Sequence, residues 1–271
     1  GGPGTGKTAT IISIMALLLA REGPLRIALA APTGKAAMRL REAILTMKST
    51  LDCEDPIKAR IPHEPTTIHR LLGANRDATR FRYDQGHPLP HEVVIIDEAS
   101  MIALPLMAKL AVAVKPDSRL ILLGDKNQLG SVEAGAVLGD ICGEGRFEVF
   151  SPAFSALYER LTGGKIAVAA AGEDKYPLCD SLVVLKENYR FPAAGGIGAA
   201  ARAVNEGNGR EAVAIFKDDA YPEIAWHDTP QPDRLRKAIA AAVIAGYGPY
   251  LQAGTPEEAL RLFDTFRFLC A

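Results

Sequence analysis

Two hydrophobic patterns alternate along the chain. Arg26 to Ala31, Val93 to Asp97, Arg119 to Gly124, Leu182 to Leu185 and Thr265 to Cys270 are almost continuously apolar, as a parallel strand covered on both faces reads. Lys7 to Arg21, Gly34 to Met47, Leu104 to Val114, Gly135 to Ile141 and Pro256 to Asp264 instead carry helical periodicity. This alternation predicts a doubly wound parallel α/β sheet. Two stretches fit neither pattern. Residues 51–65 contain three prolines and mixed charge, and residues 142–180 contain Gly163-Gly164 and no clear period; both read as insertions or surface connections. A new strand pattern starts just after Asp180, which predicts a first domain over residues 1–180 and a second from residue 181.

The length of 271 residues suits about two domains. With 48% hydrophobic and 23% charged residues, the chain can build a core without a disulfide or metal staple. The formal charge of −1 neither points to a nucleic-acid partner nor excludes one, because a local basic groove can sit on a neutral protein. No two of Cys53, Cys142, Cys179 and Cys270 stand at metal-binding or redox-pair spacing. They are expected to be reduced thiols in a cytoplasmic protein. No signal peptide is visible. The longest apolar run, Ile11 to Ala20, is broken by Ser13 and is too short to span a bilayer.

Residues 1 to 8 read GGPGTGKT. Gly1, Gly6, Lys7 and Thr8 satisfy the phosphate-loop pattern, with Gly2, Pro3, Gly4 and Thr5 between them. Glycines let successive N–H groups turn inward onto a phosphate. Lys7 brings a point charge to the β- and γ-phosphates, and the Thr8 hydroxyl is placed to ligate Mg²⁺. The helix that follows points its positive end at the anion. Such a loop follows a strand, and none precedes Gly1 here, so the sequence is expected to be part of a longer chain.

Val93 to Ser100 reads VVIIDEAS. A buried strand ending at Ile96 delivers Asp97 to the carboxyl edge of the sheet, where open α/β sheets bind ligands. Asp97 is then the Mg²⁺ carboxylate, and Glu98 orients or deprotonates the attacking water. Leu120 to Leu129 reads LILLGDKNQL. It places Gln128 in a loop after another strand, where one end of its amide can touch the γ-phosphate.

These segments come in a fixed order together with APTGKAA (Ala31 to Ala37), TTIHRLLG (Thr66 to Gly73), LGDKNQLGSVEAGAVLGDI (Leu123 to Ile141) and LKENYRF (Leu185 to Phe191). The series resembles superfamily-one helicases of the 5′-to-3′ branch. More narrowly, it resembles the alpha (RecD) subunits of bacterial exodeoxyribonuclease V, over nearly the whole chain and most weakly over residues 142–180. The resemblance implies a RecA-like P-loop NTPase fold with an incomplete second RecA-like domain, and ATP with Mg²⁺ as cofactors. It also implies that hydrolysis drives movement along single-stranded DNA in double-strand-break repair and recombination, beside the beta and gamma subunits RecB and RecC. Lys7, Thr8, Asp97, Glu98 and Gln128 match the ATPase positions of the family. Arg190 matches the arginine that reaches the γ-phosphate from the second fold across a cleft. Pro32, Thr33, Gly34 and Lys35 match a motif contacting single-stranded DNA, and Thr67 and His69 match a further one. A helix cap suits Thr67 equally well, and packing or hydrogen bonding suits His69 better than a phosphate contact. The last motifs of the family would lie beyond Ala271.

Two other classes compete with a motor. In an assembly module of a repair complex, hydrolysis would serve as a switch. A small-molecule kinase has less need of a water-orienting glutamate beside its metal aspartate. The other carboxylates, among them Glu133, Asp140 and Glu144, form no nuclease frame.

Overall fold

The computed structural model describes residues 2, 4–74, 80–125, 128, 137–142, 150–169, 178–191, 195–227 and 232–269. It divides the chain into two compact units, Gly1–Gly198 and Ala199–Ala271.

The first unit is built on a four-stranded parallel sheet in the order β2-β1-β3-β4. The strands are β1 (Ile27–Ala31), β2 (Thr66–Thr67), β3 (Val93–Ile96) and β4 (Arg119–Leu122). Strand side chains alternate between faces, and all four of β3 are buried. Val93 and Ile95 join Leu29 under α1 (Lys7–Glu22) and α2 (Gly34–Thr50), against Ile11, Ile12, Met15, Leu40 and Ile44. Val94 and Ile96 join Ala28 and Ala30 on the other face, under α4 (Ile68–Leu71) and α5 (Leu104–Ala113). Helices on both sides of a parallel sheet give the expected α/β RecA-like P-loop fold, and they explain why these strands read as unbroken apolar runs. At the far end of the strands, the Arg26 side chain pairs with Glu92, and its N–H donates to Glu92 Oε2 at 2.8 Å. This pairing holds the Glu92 carboxyl down at about 2.

Several expectations need correction. Residues 51–65 are not simply a surface connection. They hold α3 (Asp55–Arg60), whose proline lies in the first helical turn, where a missing N–H costs nothing. The following Ile61 is 1% exposed in the core. Residues 142–180 begin on the last residue of α6 (Val137–Cys142) and hold α7 (Pro152–Thr162). Ser151 caps α7, and Asp180 accepts from both the Ser151 N–H and the Ser151 hydroxyl at 2.7 Å. Those bonds hold Asp180 to Ser151 within the first compact unit, which runs to Gly198. Leu182 to Leu185 form no strand, and neither do residues 265–269; the sheet pairs neither segment. Cys270 lies outside the described residues.

The described part of the second unit is helical. It comprises the end of α8 (Gly196–Asn205), α9 (Gly209–Phe216), α10 (Pro232–Leu251) and α11 (Pro256–Phe263). Tyr247 of α10 packs against Phe263 and Phe266. No helix among the described residues is long and apolar enough to cross a membrane.

Candidate functional site

Because all four strands are parallel, the segments leaving their carboxyl ends emerge along one edge. Four of the sequence candidates meet there: Pro32 after β1, Thr67 ending β2, Asp97 after β3 and Gln128 after β4. The register pairs Ala31 with Thr67, so the two candidate DNA segments leave the sheet side by side.

The phosphate loop runs into α1 through left-handed turns at Gly4 (φ 77°) and Gly6 (φ 81°), which glycine adopts without a Cβ penalty. The Gly2 carbonyl accepts from the Thr5 hydroxyl at 2.8 Å and from Lys7 Nζ at 3.0 Å. Thr5 is buried and Thr8 half-buried. The loop is therefore formed by its own contacts, with the ammonium folded over it. Gly1 and Pro3 lie outside the described residues. A side chain at Gly2 would come within 3.9 Å of Asp125 Oδ2, which brings the β4 loop alongside.

Asp97 sits where β3 ends, and its N–H donates to the Ala30 carbonyl at 2.9 Å. Its Oδ1 accepts the Glu98 N–H at 2.9 Å. Burial pushes the Asp97 carboxyl above its usual range, while this bond and the Lys7 charge pull it back. Glu98 is also raised, first by burial and then by the neighbouring Asp97 carboxylate; Lys7 and Arg39 oppose the shift. Glu98 has a left-handed backbone, φ 53°. A non-glycine residue adopts that conformation at a cost, and such strain concentrates at functional sites. The two adjacent acids and one ammonium share one charge system at the sheet edge. Gln128 is exposed; its N–H donates to the Asp125 carbonyl at 3.1 Å, and its Oε1 accepts from the Ser100 hydroxyl at 2.8 Å.

The Asn188–Arg190 turn lies on the phosphate loop within the same unit, not across an open cleft. The Tyr189 N–H donates to the Gly4 carbonyl at 2.9 Å. A Cβ on Gly4 would come 2.5 Å from Arg190 Cβ. The Tyr189 ring, 77% exposed, lies beside Gly6, 3.9 Å from where a side chain there would begin.

At the candidate DNA segments, Thr33 caps α2 by accepting from the Ala36 N–H at 3.2 Å, and Gly34 and Lys35 are exposed. Thr67 caps α4, accepting from the Arg70 N–H at 3.3 Å. His69 is exposed, with its ring tilted against Phe81 at 6.0 Å. Ser100, Arg39, Asp125 and Tyr189 were not singled out from sequence. Ser100 and Tyr189 stood inside quoted motifs, whereas Arg39 is an ordinary helical arginine whose nearness to Glu98 only the fold creates.

Comparison with known proteins bears on this geometry. An AAA-domain family matches residues 1–134, a span that takes in the phosphate loop, the acid pair and Gln128. The RecBCD enzyme subunit RecD of Mycobacterium tuberculosis (strain H37Rv) is 39% identical over 279 residues, taking in 100% of this chain and 42% of that protein. The RecBCD enzyme subunit RecD of Haemophilus influenzae is 40% identical over 251 residues, 90% of this chain and 38% of its own length. Along its whole length the chain resembles the RecD subunits. It spans about two fifths of the length of these RecD relatives, at 42% and 38%. The ATP-dependent RecD2 DNA helicase of Deinococcus radiodurans is 39% identical over 138 residues, 51% of this chain and 16% of that protein.

Proposed function

We propose that this RecD-like segment carries the ATPase site of a DNA helicase motor, which hydrolyses ATP to move along single-stranded DNA. The observation that carries this reading is the meeting of Lys7, Asp97 and Glu98 at one sheet edge, with the Gln128 loop alongside. A switch that only binds nucleotide does not need a strained glutamate, raised by burial, next to the metal aspartate. The residues fit a nucleotide and a divalent cation. Gly4 and Gly6 shape the loop, and Lys7 can exchange the Gly2 carbonyl for phosphate oxygens. Thr8 and Asp97 would hold Mg²⁺, which would neutralise phosphate charge. Glu98 orients the attacking water and accepts its proton. Gln128 donates to the γ-phosphate. Arg190 stays charged and clamps the transferring oxygens.

The exposed start of α2 supports a role on DNA. Pro32, Thr33, Gly34 and Lys35 offer backbone N–H groups, a hydroxyl and an ammonium to a phosphate, as helix starts do. Thr67 stands next to them, and His69 supports α4 through Phe81. The partners in this reading are single-stranded DNA and two further subunits, RecB and RecC, in a cytoplasmic complex serving double-strand-break repair and recombination. The second unit is read as the start of a second RecA-like domain.

The test is ATP-dependent displacement of streptavidin from a biotinylated end of single-stranded DNA by the full-length protein. Displacement that needs ATP and is lost in Lys7→Ala supports a motor. Nucleotide binding without displacement would favour the assembly-module alternative.

A further inference from the structure

Ser100 and Thr5 are the polar side chains buried among the described residues. Thr5 belongs to the phosphate loop, whereas Ser100 belongs to the turn that follows the acid pair. That turn is a short 3-10 segment, Ala99–Met101, entered through the left-handed Glu98. It swings toward β4. The Ala99 N–H donates to the Leu123 carbonyl at 2.7 Å. A Cβ on Gly124 would come 3.0 Å from the Ser100 nitrogen and 2.4 Å from Leu138 Cδ2, so a side chain there would displace the Leu138 methyl and crowd the Ser100 backbone. The Ser100 hydroxyl then donates to Gln128 Oε1 at 2.8 Å. The turn bearing Asp97 and Glu98 and the loop bearing Gln128 are thus joined by a backbone bond, a close glycine contact and one side-chain bond.

We propose that Ser100 is a positioning residue: its hydroxyl orients the Gln128 carboxamide so that the NH₂ end faces the γ-phosphate. This rests on Gln128 being a γ-phosphate donor, as proposed for the ATPase site. A carboxamide held by its oxygen presents its two N–H donors on the other side. Donors suit a phosphate oxygen, whereas a rotated amide would turn its own oxygen toward the anion and repel it. Ser100 also couples the loops, because movement of Gln128 toward a nucleotide pulls on the turn that carries Glu98.

The test is steady-state ATP hydrolysis by the full-length protein at saturating single-stranded DNA, for wild type, Ser100→Ala, Gln128→Ala and the double variant. Ser100→Ala should lower kcat about tenfold with little change in KM for ATP, as expected when one partly buried hydrogen bond is removed. In the Gln128→Ala background it should cost nothing further. Ser100→Cys, near in volume but a weaker donor, should fall between wild type and Ser100→Ala. An equal loss in both backgrounds, wild-type kcat in Ser100→Ala, or a Cys variant slower than the Ala variant would each overturn the proposal. Wild-type kcat in Gln128→Ala would overturn the underlying reading of Gln128, and is recognised because that single variant alone reveals it.

Discussion

Tyr189 donates its backbone N–H to the carbonyl of Gly4 at 2.9 Å, which fastens the Asn188–Arg190 turn to the phosphate loop. Asn188 braces the turn, its Oδ1 accepting from the N–H groups of Arg190 and Phe191 at 2.9 and 3.0 Å. Arg190 is therefore held beside the nucleotide loop by backbone bonds that survive removal of its own side chain. Arg190→Ala should leave ATP binding largely intact and cut DNA-stimulated turnover far more than basal turnover, approaching the roughly 10³–10⁵-fold that arginine fingers supply. ATP turnover with and without single-stranded DNA, beside nucleotide affinity, checks this; equal loss of basal and stimulated rates would remove Arg190 from the stimulated step.

Glu98→Gln should retain nucleotide binding and lose about 10²–10⁴-fold in hydrolysis. A base must be ionised, so the rate falls as pH drops through its pKa. Burial and the Asp97 charge raise that pKa, so the acid limb of the pH–rate profile should lie above that of an ordinary glutamate. Arg39 opposes the shift, and Arg39→Ala should move the limb further up. An acid limb that stays in place in Arg39→Ala would separate Glu98 from the titrating group.

Lys7→Ala should weaken ATP binding and abolish DNA unwinding together. Lys7→Arg should also fail, because a planar guanidinium does not replace a compact ammonium over the Gly2 carbonyl. Nucleotide titration paired with an unwinding assay decides, and normal unwinding by Lys7→Arg would argue against a tight cradle.

Lys35 is exposed at the start of α2. Lys35→Ala should weaken single-stranded DNA binding about equally for all sequences. It should also flatten the salt dependence by somewhat under about one unit, since neutralising one phosphate on a single strand contributes roughly 0.7 to the slope. ATP affinity without DNA should not change. An unaltered salt slope would make Lys35 a solvated surface lysine.

The sheet and the placing of candidate residues at its edge were legible because both are local in sequence. GGPGTGKT and VVIIDEAS each bring their own strand or helix, and the apolar runs of β1 and β3 are buried as a two-faced strand requires, with the half-buried β4 at the sheet's edge. Long-range contacts were not legible. The bonds of Asp180 to Ser151, 29 residues away, exist only in the folded chain. Prolines misled over residues 51–65: in α3 the proline stands in the first turn, where it starts a helix rather than breaks one. Gly246, Gly248 and Pro249 conceal the end of α10, which keeps a proline within the helix. Leu182 to Leu185 had strand composition and no strand to pair with, and composition cannot supply a partner.

The central claim is that Lys7, Asp97 and Glu98 form a hydrolytic site answering to DNA bound along the same sheet edge. ATP turnover by the full-length protein, measured against rising single-stranded DNA, tests it most directly. The account predicts a low basal rate that climbs to saturation with DNA in the wild type and stays flat in Glu98→Gln. A wild-type rate indifferent to DNA, or a Glu98→Gln rate that rises with it as the wild type does, would contradict it.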